Sequence, residues 1–167
     1  MFIKRYNADL ANDYGNVINR ITILIEKNFD GLCPMPGKYK QVELDVISFS
    51  KSIILKVDQN MKKLKIHDAL ETIFSLIREI NKYLEIKQPW KLVKNDKSSE
   101  SAAATCLYVA TELLRISSEL LLPFMPEKAH ITLKHLSQNI SNNFEFGIIE
   151  PKTKIKNPGV LFPRIEE

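Results

Sequence analysis

Apolar residues recur every three to four positions along much of the chain, the spacing of helices that bury one face. A first helix is predicted from about Asp9, or slightly earlier, to about Asn28, and a second from about Val42 to about Lys63. A third helix ends before Pro89, because proline disfavours helical conformation in its predecessor. Its apolar stripe is the clearest in the chain and consists of Ile66, Leu70, Ile73, Ile77, Ile80 and Leu84.

Two more helices are predicted before the periodicity disappears. Serines at 98–99 are candidate N-caps for a fourth helix, which would end near Pro123. A short fifth helix then reaches about Leu136. After Ser137 the residues are mostly polar and punctuated by prolines, which predicts an extended tail. The expected fold is all-α: a bundle of about five helices over residues 1–136, and a tail over 137–167 whose apolar end docks on another surface.

Composition excludes several classes of protein. Only five of the 167 residues are glycine, none of them between Lys38 and Phe146, which argues against glycine-loop nucleotide sites and most all-β folds. Cys33 and Cys106 stand alone, as reduced thiols of a cytoplasmic protein do. No apolar run approaches the length of a membrane span, so no membrane partner is expected. The net charge of +4 suits a polyanionic partner.

No catalytic or metal-binding motif is present. His67, His130 and His135 are scattered, and the last two lie five residues apart rather than the four that align two zinc ligands on one helix face. We read all three as surface histidines. The glycine-rich and serine motifs of nucleotide-binding enzymes and hydrolases are missing as well. We therefore predict no catalytic residue, no metal and no cofactor for this chain, and look for binding residues instead.

A polar line on the first helix is one candidate for recognition. Asn12, Asn16 and Arg20 recur every four residues, on the side away from the predicted apolar face. An amide offers a donor and an acceptor, and a guanidinium offers a planar fork of donors, so the pair could read the edge of an unstacked base. An ordinary solvated face is the alternative. Gly15 lies within this line and would let RNA or a neighbouring helix approach closely.

The chain's only tryptophan is a second candidate. Trp90 follows Gln88 and Pro89 at the end of the third helix, where it could stack on a splayed-out base or simply seal the end of the bundle. Residues 82–97 carry five lysines and two acidic residues, and residues 51–65 carry five lysines and one. The segment from Phe144 to the C-terminus balances four basic against four acidic residues. Positive charge is thus concentrated in the helical part.

These features together resemble the anticodon-binding domain of the methionyl-tRNA synthetase family. Residues 5–20 read RYNADLANDYGNVINR and resemble the family's opening helix, and NKY at 81–83 with QPW at 88–90 resembles the end of its third helix. LLPFMP at 121–126 and LFPRI at 161–165 are similar to later family segments. The opening and the last motif favour methionine over the related synthetases for leucine, isoleucine, valine and cysteine.

The resemblance implies a function. The positions of Asn16, Arg20 and Trp90 would contact the anticodon loop of methionine tRNA, with the tryptophan stacked on its first base, a cytosine; Asn12 and Pro89 would line the same pocket. ATP with magnesium, and zinc, would belong to the catalytic part of the synthetase, whose motifs are absent here. We therefore expect a C-terminal part that binds without catalysing and whose tail packs on the bundle or on the catalytic domain. Another class I synthetase, or a helical protein–protein interaction module, is the alternative.

Overall fold

The fold is known from a computed structural model, which describes residues 1–166. Within these residues, all the regular secondary structure is helical except one isolated β-bridge between Leu32 and Lys154. This confirms the all-α prediction. The first helix, α1, is continuous through Phe2–Arg5, Tyr6–Gly15 and Asn16–Asn28. The others are α2 (Gln41–Lys62), α3 (Ile66–Lys87), α4 (Pro89–Asn95), α5 (Ala102–Leu121) and α6 (Pro126–His135).

The predicted apolar stripe of α3 forms part of the core except at its first residue, Ile66, which is 47% exposed. Ile73, Ile77, Ile80 and Leu84 are fully buried. The helix ends at Gln88, whose φ of 49° is left-handed, and Pro89 then opens α4 because its fixed φ suits a first helical position. The short helix α4, which the sequence pattern did not predict, carries Trp90 on its first turn.

Two predicted helix starts are wrong. The first helix begins at Phe2 rather than near Asp9, and its turns widen to π-type winding over Tyr6–Gly15. The helix α5 begins after Ser101, whose side chain accepts a hydrogen bond from the Ala104 N–H at 3.1 Å. The serine at 98 lies three residues before this cap position, and its N–H and hydroxyl donate to the Asp96 carboxylate instead.

Three buried charged residues of α5 hold the first part of the tail. Glu112, Arg115 and Glu119 follow one another at spacings of three and four, and none is more than 2% exposed. The two carboxylates accept hydrogen bonds from backbone N–H groups of Ser141, Asn142, Gly147 and Ile149. The guanidinium donates to the backbone carbonyls of Asn143 and Glu145 and pairs with Glu112. Every one of these buried charges is therefore satisfied, as burial requires.

The end of the tail runs along α1 towards its N-terminus. Phe162 is 7% exposed and packs on Tyr14, with 5.7 Å between ring centroids. A Cβ on Gly15 would lie 3.6 Å from the Phe162 ring, an ordinary contact distance, but only 3.1 Å from the Leu10 carbonyl oxygen, so the close neighbour of Gly15 is the backbone of its own helix. Ile165 exchanges two hydrogen bonds with the Asn7 side chain. The apolar motif at 161–165 therefore lies on the bundle; position 167 is outside the described residues.

Candidate nucleic-acid interface

A shallow hollow opens where α1 meets α4. Its volume is about 280 Å³, and its wall is mainly apolar. We call it the Trp90 hollow; it is lined by Asn19, Arg20, Ile23, Leu24 and Trp90. Two of the residues selected from the sequence, Arg20 and Trp90, are thus brought together from positions 70 residues apart in the chain.

Arg20 lies across the tryptophan ring. The guanidinium carbon is 4.7 Å from the centroid of the Trp90 ring, a cation–π contact worth about 0.5–1 kcal/mol at an exposed site. The same guanidinium pairs with the Glu85 carboxylate on α3 at 2.5 Å. Because the Glu85 side chain is 61% exposed, this ion pair adds little stability. The arginine is therefore held by two weak contacts that a stronger acceptor could replace.

Asn16 lies one turn before Arg20 on α1. It is exposed, and its amide nitrogen donates to the Asn81 side chain of α3 over 3.3 Å. Asn81 donates in turn to the backbone carbonyl of Asp13 over 3.2 Å. These long hydrogen bonds leave the Asn16 amide oriented at the surface, beside the Trp90 hollow rather than in its wall.

Asn12 and Pro89 take other positions. The Asn12 side-chain oxygen accepts a hydrogen bond from Arg164 of the tail at 2.7 Å, so this end of the polar line is bound to the tail, although Asn12 remains exposed. Pro89 is buried as the first residue of α4. Neither residue lines the Trp90 hollow. The proline begins the helix that carries the tryptophan, and the asparagine binds the tail to α1.

A buried ion pair supports the end of α3, next to the hollow. Glu43 of α2 is 1% exposed and accepts hydrogen bonds from Lys87 and Tyr83 at 2.9 and 3.0 Å. Burial raises the pKa of the Glu43 carboxyl, but the hydrogen bonds from Lys87, from the backbone of Lys40 and from Tyr83 outweigh it, and the net pKa is lowered. The charge of Lys87 is thus neutralised inside the protein.

Other lysines near the tryptophan stay at the surface. Lys91 and Lys94 on α4, and Lys97 after it, are exposed. Lys82 lies 3.8 Å from Glu79 in a loose surface pair. Within residues 82–97, the exposed positive charge therefore lies mainly on α4 and just after it.

The described residues do not form a metal or nucleophile site. Residues 1–166 contain no group of three or more histidine, cysteine or acidic side chains that could hold an ion. Burial raises the pKa of the thiols of Cys33 and Cys106 to about 12, so both remain protonated. The donor set of this domain thus does not suit magnesium or zinc. No helix within residues 1–166 is long and apolar enough to cross a membrane.

Comparison with known proteins identifies the family. Residues 33–167 match the family model described as the anticodon binding domain of methionyl tRNA ligase. The chain belongs to this family. The matched part begins after α1, so the anticodon-domain assignment does not depend on the opening motif at 5–20. The prediction of a methionyl-tRNA synthetase anticodon-binding domain is confirmed.

Relatives of this family cover α1 as well. The methionine–tRNA ligases of Caldanaerobacter subterraneus and Clostridium acetobutylicum are each 36% identical over 98% and 99% of the chain. The structure of Mycobacterium tuberculosis methionyl-tRNA synthetase in its apo form matches 99% of the chain with a TM-score of 0.89 at 33% identity. The same enzyme in complex with methionyl-adenylate gives a TM-score of 0.87. The chain spans 26% of the length of the first two ligases and 34% of the mycobacterial chain.

Sequence reasoning missed three kinds of residue around the hollow. Ile23 was assigned no role and Leu24 was placed only on the apolar face of the first helix, although both form the apolar wall of the hollow. Glu85 was counted only as a charge, yet it binds the arginine. Glu43 lies 44 residues before Lys87 and carries no local signal of their pairing. The position of Glu85, two residues after the NKY motif, is the one signal that could have pointed to the site.

Proposed function

We propose that the chain binds the anticodon stem-loop of methionine tRNA, with the first anticodon base at the Trp90 hollow. The observation that supports this most directly is the partly exposed ring of Trp90, which lines the hollow and carries over its face a guanidinium that weak contacts hold in place. Single-stranded RNA is recognised by such aromatic faces together with planar donors on the base edges. The family to which the chain belongs, described as an anticodon-binding domain, supports the same ligand.

The roles of the residues follow from their positions. Trp90 stacks on the cytosine, and Arg20 leaves Glu85 and donates to a base edge or a phosphate. Asn16 offers its amide to the neighbouring base. Pro89 fixes the tryptophan at the start of α4, and Asn12 acts indirectly by holding the tail through Arg164.

The domain acts within a longer enzyme. We propose that the bundle, residues 1–136, and the tail, 137–167, form the tRNA-reading part of a cytoplasmic methionine–tRNA ligase. ATP, magnesium and zinc then belong to the catalytic part, because the described residues offer no suitable donor set. The tail segment at 161–165 packs on α1, and its exposed neighbour Val160 is available to contact the catalytic domain.

Titration with RNA tests this proposal. The chain is mixed with a fluorescent stem-loop carrying the methionine anticodon CAU, and with stem-loops changed at one anticodon base, at two salt concentrations. We expect salt-sensitive binding that prefers CAU and that weakens in Trp90→Ala. A chain that retains no stem-loop at low salt, or that prefers the anticodon of leucine, isoleucine, valine or cysteine tRNA, refutes the proposal. The first outcome would instead favour a protein–protein interaction module.

A further inference from the structure

A second hollow lies between the end of α6 and the tail. Its volume is about 380 Å³, and all but one of its lining residues are basic. We call it the lysine hollow; it is lined by Lys134, His135, Ser137, Lys154 and Lys156. No carboxylate contributes to its wall. It shares no residue with the Trp90 hollow and has no role in the recognition described above.

The backbone around the lysine hollow is fixed by hydrogen bonds. The Lys156 N–H donates to the carbonyl of His135 at 2.9 Å, and the Ser137 hydroxyl donates to the carbonyl of Lys154 at 2.5 Å. Both bonds join the tail to the end of α6. The lysine side chains take no part in them, so their positions are set by the backbone while their ammonium groups stay available.

The lysine side chains are also without carboxylate partners. In the stretch from residue 1 to 166, no ion pair includes Lys134, Lys154 or Lys156. The count along the sequence, which found the tail electrically balanced, did not show this clustering. Folding brings Lys154 and Lys156 next to Lys134, while Glu145, Glu150 and Glu166 lie outside the wall of the hollow.

The tail connects the two hollows. Asn157, the residue after Lys156, donates from its side chain to Asn19 at 3.0 Å and to Thr22 at 2.8 Å. Asn19 is itself part of the wall of the Trp90 hollow. One residue of the tail thus lies between Asn19 in the wall of the Trp90 hollow and Lys156 in the wall of the lysine hollow, and its backbone N–H donates to the Glu26 carboxylate at 2.8 Å.

We propose that the lysine hollow binds the phosphodiester backbone of the same RNA whose anticodon enters the Trp90 hollow. This inference rests on the proposed function and adds a second contact to it. Ammonium groups act on phosphates as point charges and carry no base preference. The lysine hollow would therefore contribute affinity and orientation, whereas the Trp90 hollow contributes the choice of anticodon. An acidic peptide is a weaker candidate, because the neighbouring surface is suited to a base.

A triple substitution tests the inference. Lys134→Gln, Lys154→Gln and Lys156→Gln are combined, which removes three charges and keeps every backbone hydrogen bond described above. The matched control combines Lys51→Gln, Lys56→Gln and Lys63→Gln on and after α2, which removes the same net charge from exposed positions. Both variants are titrated with the CAU stem-loop and with a stem-loop of altered anticodon, over a range of salt concentrations.

Phosphate contacts predict a distinct set of changes. Log affinity falls linearly with log salt, and each lost phosphate contact makes that fall less steep by about 0.7–0.9. We therefore expect the slope of the triple variant to be less steep by about 2 to 3. At low salt its affinity should fall by about tenfold or more, by the same factor for both stem-loops. The α2 control should change affinity less than the triple variant and leave most of the salt slope intact.

The outcomes separate this inference from the proposed function. If the wild-type chain binds and Trp90→Ala weakens binding, but the triple variant behaves like the control, the lysine hollow is not an RNA contact. If the triple variant weakens binding of the CAU stem-loop alone, the lysines act on anticodon choice and the backbone assignment is wrong. If the wild-type chain binds no stem-loop, both proposals fail.

Discussion

Removing the tryptophan ring is the most direct perturbation of the proposed site. Stacking of a base on an aromatic side chain contributes about 1–3 kcal/mol, as measured by alanine substitution. In the unbound chain, however, the ring already carries the guanidinium of Arg20, 4.7 Å from its centroid. If the base takes that face, the wild-type chain gives up a contact of about 0.5–1 kcal/mol on binding. We therefore expect Trp90→Ala to weaken binding by about 0.5–2 kcal/mol, or about two- to thirtyfold in Kd.

The assay is a fluorescence titration of a labelled CAU stem-loop with wild-type and Trp90→Ala chains, after circular dichroism has shown that both are helical. Trp90→Phe keeps an aromatic face and should recover part of the affinity. Leu55→Ala, at a side chain that is 64% exposed on α2, controls for loss of apolar surface elsewhere. A folded Trp90→Ala chain whose affinity equals that of Leu55→Ala would refute the stacking argument.

Four further predictions concern the Trp90 hollow, the docked tail and the buried ion pair. Arg20→Ala should reduce discrimination between anticodons; equal losses for all anticodons would mark a phosphate contact instead. Glu85→Gln should strengthen stem-loop binding by up to about fivefold, since an exposed ion pair worth up to ~1 kcal/mol no longer has to break. Phe162→Ala should destabilise the docked tail by about 3 kcal/mol and remove hydrogen-exchange protection there, whereas unchanged protection would contradict the packing argument. The lowered pKa of Glu43 gives a contribution to stability that is present above pH 4.5 and is lost as pH falls through the folded value. In urea unfolding, the stability advantage over Glu43→Gln should therefore shrink below pH 4.5, and a constant difference would refute the ion-pair account.

The sequence predicted the bundle because its signals were local. The stripe on α3 needs only the period of a helix, and Pro89 marks its end wherever the helix packs. The site was predicted in part for a different reason: a polar line on the first helix and the only tryptophan singled out Asn16, Arg20 and Trp90, and the family resemblance then gave them a role. The contact between Arg20 and Trp90 itself depends on how α1 and α4 meet, which no spacing along the chain reveals.

The misjudged features were those that depend on distant partners. From the sequence Lys87 is expected at the surface, yet it is largely buried because it pairs with Glu43, far earlier in the chain. The opposite case is Lys154, which belongs to a tail of no net charge and becomes part of a basic cluster only beside α6. Charge counted along the sequence cannot show either outcome, because a pair or a cluster is defined by the fold.

The buried charges of α5 have a consequence for the order of folding during synthesis. A ribosome releases α5 before it has made residues 141–149, and chains generally begin to fold from the N-terminus as they emerge. Until those residues have been made, Glu112, Arg115 and Glu119 lack the backbone hydrogen-bond partners that offset the cost of burying their charges. We therefore expect the bundle to stay loosely packed around α5 in the nascent chain and to close in a late step, when the tail supplies its amides and carbonyls.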